Sequence, residues 1–193
     1  MEASALARVE KKCQQEARTP VFVDESGFYL LPSVVKSYAP LGKTPILEHT
    51  LTREHLSVMG ALTPTGRLFT KVQERSLKSP DVIGFLEYLL TKIAGKLLII
   101  WDGAPIPRSK AIQAFLSKRH QQEPGRILVE RLPGYSPALN PEEGVWRYLK
   151  YEEMANICCW NLEHLRHEFV KARERLRHKK HILRACFQHA DCL

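Results

Sequence analysis

A chain of 193 residues, 44% hydrophobic and 26% charged, is long enough for one domain with a real core, and its composition excludes a mainly disordered or collagenous protein. Lys and Arg number 29 against 21 Asp and Glu, and the resulting formal charge of +8 suggests a polyanionic partner, nucleic acid first. No apolar run reaches the roughly 18 residues of a membrane span, and the start MEASALARVEKKCQQEARTP is charged where a secretory signal needs an apolar stretch. No membrane partner is expected, and the location expected is cytoplasmic and nucleoid-associated.

In chain order, residues 1–19 read as a short polar helix or arm ended by Thr19-Pro20. VFVDESGF opens with a buried strand that has Asp24 at its end. Residues 29–50 mix apolar pairs with Pro32, Pro40, Gly42 and Pro45, which suits a strand with loops. HLSVMGAL and RLFTKVQE flank TPTG as two strands of a hairpin. Ser79-Pro80-Asp81 starts a helix whose apolar face is Val82, Phe85, Leu86, Leu89 and Leu90. KLLIIWD is a continuous apolar run of strand length, as expected for a central strand covered on both faces, and it ends in Asp102.

SKAIQAFLSKRHQQ predicts a helix and residues 126–130 a short strand. The stretch LPGYSPALNPEEGVW then turns into a helix that extends to about Glu153, with Asn140 as cap and Pro141 in the first helical position. Glu142 and Glu143 fall in its first turn, where acidic residues favour the helix dipole and Asn140 with Glu143 has the spacing of a capping box. The rest of the chain predicts one or two amphipathic helices with Leu162, Leu165, Phe169 and Leu176 inward.

The five cysteines, Cys13, Cys158, Cys159, Cys186 and Cys192, are odd in number and irregular in spacing, which argues against a disulfide framework. Cys158, Cys159, His164 and His167 match no common zinc spacing; buried thiols and surface histidines explain them better.

The chemistry is carried by carboxylates. Two apolar strands each finish in an aspartate, Asp24 and Asp102, and if the strands neighbour one another the two charges repel by roughly 4 kcal/mol at about 4 Å and an effective dielectric near 20. Each aspartate alone also suits a turn. A divalent cation removes the repulsion, and hard oxygen ligands are what magnesium prefers. Phosphodiester cleavage by two metal ions needs such a carboxylate set and no nucleophilic side chain.

VFVDESGFYL, LLIIWDGAPIPRSKAI and LPGYSPALNPEEGVWRYLK, in that order over residues 20–150, resemble the three signature blocks of mariner-type, IS-six-thirty-like insertion-sequence transposases of the DDE superfamily, the last block being the most specific. The resemblance implies an α/β fold, a ribonuclease H-like mixed sheet flanked by helices, in a catalytic domain of residues 20–155 with a short arm (1–19) before it and a C-terminal helical extension (156–193). It implies that Asp24, Asp102 and Glu143 are catalytic and hold two Mg²⁺ (or Mn²⁺) ions. Periodicity by itself favours Glu142, which shares a helical face with Val145, Trp146 and Leu149; the motif assigns Glu143 to metal and leaves Glu142 in reserve at the family's usually apolar position.

The sequence departs from the family pattern in three ways. Pro107 stands where the family usually has His, 40 residues separate Asp102 from Glu143, which is more than is usual, and only about 19 residues precede the first catalytic strand, where such transposases carry helix-turn-helix modules. The expected partner is DNA, both element ends and target, with a second copy and a separate helix-turn-helix polypeptide as further candidates. Arg108, Lys110, Arg147 and Lys150 are the candidates for gripping the backbone near the metals, and the eight Lys and Arg of residues 164–184 read either as a solvated helix face or as a phosphate-contacting stripe. The leading reading is a transposase catalytic domain; a truncated DNA-binding remnant without catalysis and a stand-alone nuclease are the alternatives.

Overall fold

The computed structural model describes residues 11–48, 52–101, 109–132 and 137–190. Residues 11–16 are helical and lead into β1 (Arg18–Tyr29), which is longer than the run VFVDESGF suggests because it starts before Pro20. β2 (His55–Leu62) and β3 (Leu68–Gln73) follow, then α1 (Ser79–Lys92), β4 (Lys96–Trp101), α2 (Lys110–Gln122) and β5 (Ile127–Arg131). The chain ends with α3 (Pro141–Tyr148), a π-helical turn (Leu149–Glu153), α4 (Leu162–His178) and α5 (Lys180–His189).

The five strands form one sheet in the order β3-β2-β1-β4-β5, antiparallel from β3 to β1 and parallel from β1 to β5. The hairpin between β2 and β3 closes as TPTG predicts, with Gly66 N–H donating to Thr63 O at 2.9 Å and Gly66 at a φ of 76° that glycine adopts without strain. Residues 32–48 form no strand, contrary to the mixed reading of 29–50: prolines at 32, 40 and 45 cannot donate to a ladder.

Alternation along the strands sorts the side chains into two cores. Val21, Val23, Met59, Ala61, Leu97, Ile99 and Trp101 face α1 and α2, packing on Val82, Phe85, Leu86, Leu89 and Ile112. Phe22, Phe28, Leu56, Val58, Leu98 and Ile100 face the C-terminal helices, meeting Val145, Trp146, Leu149, Phe169, Leu176 and Leu183. Phe169 packs edge-on against Phe28 with ring centroids 4.8 Å apart and is fully buried, so truncating it to Ala should cost about 3 to 5 kcal/mol.

The basic residues of α4 mostly fasten it in place. Arg173 donates to Thr70 Oγ1 and Arg177 to Leu68 O, both on β3, while Arg175 and Lys179 hold Glu153 at 2.5 and 2.7 Å. Lys171 pairs with Glu168 at 3.0 Å. These five of the eight cations thus have protein partners, and Arg166, Lys180 and Arg184 are what is left of the stripe. The four described cysteines are free thiols. Among the described residues no helix is long and apolar enough to cross a membrane.

Candidate active site

Among the described residues, the parallel pairing of β1 with β4 extends as far as Val23 against Trp101. Asp24 is the next residue of β1; among the described residues β1 runs on from there to Tyr29 paired only with β2. Asp24 shares its face with Phe22 and lies opposite Gly60 of β2. β1, β3 and β4 all run the same way, and α1 and α2 both begin at their carboxyl end, where open α/β sheets place ligands.

The short helix α3 comes to this spot from the C-terminal side. Asn140 caps it as expected, but its side chain accepts from Glu142 N–H at 3.1 Å, one residue short of the bond a capping box makes. The inward face holds Glu142, Val145, Trp146 and Leu149, as the periodicity predicts. Trp146 Nε1–H donates to Asp24 Oδ2 at 3.0 Å, and its ring stands edge-on to Phe28, 6.1 Å between centroids. Gly60 makes this approach feasible: a Cβ there would lie 2.5 Å from Trp146 and 2.8 Å from Glu142 Oε2. Neither Gly60 nor the Trp146 bond was identifiable from the sequence, because each depends on which residue of α3 crosses which residue of β2.

The two glutamates differ in environment. Glu142 is 0% exposed and neither carboxyl oxygen has a hydrogen-bond partner. Burial, followed by the nearby charges of Asp24 and Glu143, pushes its carboxyl well above the usual carboxylate range. Glu142 also contributes to lifting the buried Cys186 thiol to about 11, after burial itself. Glu143 is exposed and borders a surface cavity of about 400 Å³ with Asn140 and Arg147. On β1, Glu25 is raised to about 7, by burial first and Asp24 second.

Of the four cations proposed to touch DNA, Lys150 is built into the site. Its Nζ donates to Ser26 Oγ at 2.8 Å and lies over the Phe28 ring. Burial holds its ammonium below the ordinary lysine range, against the opposing influence of Glu143 and Asp24. Arg147 is exposed beside Glu143. Lys110 is exposed at the start of α2, next to Ser109, whose Oγ meets Ser79 Oγ at 2.9 Å. Asp102, Pro107 and Arg108 lie outside the described residues.

Among the described residues, no three His, Cys, Asp or Glu are already grouped to hold a metal ion. The donor chemistry nevertheless fits one. The charges of Asp24 and Glu143 both raise the proton affinity of Glu142, which places the two carboxylates close to the same turn of α3. Such a concentration of negative oxygen suits a hard divalent cation.

A mixed five-stranded sheet in this order, with helices on both faces and carboxylates partway along the central strand where its described pairing to β4 stops rather than at its end, defines the ribonuclease H-like fold. A family model, DDE superfamily endonuclease, matches residues 19–166, and the chain belongs to that family. No curated protein matches it. The fold is similar to that of the Mos1 mariner transposase catalytic domain, at a TM-score of 0.58 and 12% identity, covering 98% of this chain and 92% of that one. It is also similar to the Mos1 mariner paired-end complex with Mn, at a TM-score of 0.61 and 16% identity over 96% of this chain, and to the complex with Mg, at 0.60 and 18% over 95%. This chain spans only 59% and 57% of the length of the transposase chains in those two complexes.

Proposed function

We propose that the chain is the catalytic part of a DNA transposase, cutting phosphodiester bonds at the ends of an insertion sequence and joining the freed 3′ ends to target DNA. The observation that carries the reading is the Trp146–Asp24 hydrogen bond, which fixes the β1 carboxylate against the helix turn that bears Glu142 and Glu143. Asp24, Asp102 and Glu143 would hold the metal ions. Asp102 follows Trp101 directly and stands two residues after Ile100, which shares the Phe22 face with Asp24. Glu143 is preferred over Glu142 because it is exposed and the motif places the ligand there, while the buried Glu142 fills the apolar position.

Bound Mg²⁺ or Mn²⁺ would supply Lewis-acid activation of the attacking oxygen and charge stabilisation of the leaving oxygen. The chain's own residues do the positioning. Trp146 orients Asp24, Gly60 leaves the space for it, and Lys150 holds a positive charge beside the carboxylates where a phosphate would lie. Arg147 and Lys110, together with Arg108, would contact the backbone further out, where each phosphate contact adds salt-dependent affinity. A second copy and a separate helix-turn-helix polypeptide would supply recognition of element ends, and a cytoplasmic, nucleoid-associated location follows from that role.

Nicking of supercoiled plasmid by the purified chain in Mg²⁺ or Mn²⁺ tests this. Wild type should nick, and Asp24→Ala and Asp102→Ala should not. Wild type that binds DNA in low salt and never nicks would show a binding domain without catalysis.

A further inference from the structure

The turn between β2 and β3 stands at the end of the sheet away from Asp24. Three residues along β2 from Gly60, about 10 Å at the usual strand rise, the chain reverses at Thr63. Thr65 is exposed at the tip, and its Oγ1 meets Thr63 Oγ1 at 2.9 Å, which holds the turn closed. Cations flank this turn on both sides. On the α1 side, Arg67 donates to the Lys92 carbonyl at 2.8 Å and lies 5.0 Å over the Phe69 ring, while Lys92 Nζ lies 5.7 Å over the Tyr88 ring. On the α5 side, the turn packs on Lys180 and Arg184: a Cβ at Gly66 would lie 3.2 Å from the Lys180 carbonyl oxygen and 3.5 Å from Arg184 Cγ.

Arg67, Lys92, Lys180 and Arg184 are all exposed, and among the described residues none of them pairs with a carboxylate. Their neighbours Arg173 and Arg177, by contrast, share Glu174. Four like charges around one turn repel one another, and the fold supplies no acid to relieve them. Arg67 is already ordered by its helix-end carbonyl and its ring, so less freedom is lost when it meets an anion. The turn itself, Thr63-Pro64-Thr65-Gly66, offers no large apolar side chain, which does not suit insertion into a lipid surface. A narrow polar ridge with cations along both flanks matches a groove of duplex DNA, whose two borders are rows of phosphates.

We infer that the β2–β3 turn is a second DNA-holding surface, set into a groove of duplex with Arg67 and Lys92 on the phosphates of one border and Lys180 and Arg184 on those of the other. This rests on the transposase reading above. The duplex held there lies at the opposite end of the sheet from the carboxylates, so the surface serves retention on DNA and takes no part in the cut. Its contacts go to phosphates, which carry no sequence information, so it holds any duplex alike.

The test is fluorescence anisotropy of a labelled random-sequence duplex in metal-free buffer over a series of salt concentrations. With Arg67, Lys92, Lys180 and Arg184 all changed to Gln, the slope of log affinity against log salt should be shallower than wild type by about 3 to 4, the loss of four phosphate contacts. A control that removes the same charge from exposed positions elsewhere, with Lys36, Lys43, Arg53 and Lys118 changed to Gln, should keep the wild-type slope. Arg67 also caps α1, so if the four-site variant fails to fold, Lys92→Gln, Lys180→Gln, Arg184→Gln carries the comparison, with a slope shallower by about 2 to 3. An unchanged slope in the turn variant, with binding lost instead in Arg147→Gln, Lys150→Gln, overturns the surface and leaves the transposase reading standing. A control that loses as much slope as the turn variant shows only the general field of a basic chain and also overturns it. So does a turn variant that keeps its DNA slope but no longer binds polyglutamate, which would make the corner a contact for an acidic protein. Wild type that binds no duplex overturns the reading and the surface together.

Discussion

On the face covered by α1 and α2, the strands present Val21, Val23, Met59, Ala61, Ile99 and Trp101 to further apolar side chains, and the nearest charged cluster is a helix cap at the margin, where Asp81 accepts from both Arg75 nitrogens at 2.7 Å. The face covered by α3, α4 and α5 is packed from the same kinds of residue but interrupted at one place, where Asp24, Gly60, Glu142 and Trp146 meet. Each face leaves buried polar atoms without a partner near Asp24: Glu25 Oε1 and Trp101 Nε1 on the first, and both carboxyl oxygens of Glu142 on the second. On both faces these departures from local rules gather around Asp24, and the apolar packing away from it offsets their cost.

The largest effect expected from disturbing the second face is loss of nicking in Asp24→Ala and Glu143→Gln, to below detection in the plasmid assay, with unchanged far-ultraviolet circular dichroism. Trp146→Phe keeps the ring against Phe28 but removes the donor to Asp24, and should lower nicking about 10- to 100-fold, the usual cost of losing a partner that orients a ligand. Gly60→Ala forces a methyl into Trp146 and Glu142, and urea denaturation should show a loss of about 1 to 3 kcal/mol.

Smaller effects distinguish the two faces by pH. The Glu142 carboxyl is raised above its ordinary 4.5, so the stability it allows is fully present below that value and is lost as pH rises through the folded value. Glu142→Gln should therefore melt higher than wild type near pH 8, with the difference vanishing near pH 4, while nicking is largely retained. Asp81 behaves in the opposite way. The Arg75 hydrogen bonds lower it to about 2, so its contribution is present above 3.8 and is lost as pH falls through about 2. Asp81→Asn should flatten the acid limb of the melting curve by a small amount.

Much of the first face was legible from the chain. The i, i+3, i+4 spacing of Val82, Phe85, Leu86 and Leu89 and the apolar run of β4 are local signals, and the TPTG turn and Asn140-Pro141 start are local chemistry. The second face was legible only in part. Periodicity turned Glu142 inward correctly, and the motif singled out Glu143, but the pairing of Gly60 with Asp24 is a contact between segments far apart in sequence, and a glycine within HLSVMGAL carries no sign of what crosses it. The cations of residues 164–184 show the same limit in the other direction: read from sequence either as a solvated helix face or as phosphate contacts, five of them instead hold β3, Glu153 and Glu168.

The assignment of metal to the exposed glutamate and of a neutral filling role to the buried one is tested most directly by Mn²⁺ binding, followed by electron paramagnetic resonance on wild type, Glu142→Gln, Glu143→Gln and Asp24→Ala. Binding retained in wild type and Glu142→Gln and lost in the other two is the result expected. Binding retained in Glu143→Gln and lost in Glu142→Gln would make the buried carboxylate the ligand and contradict the account.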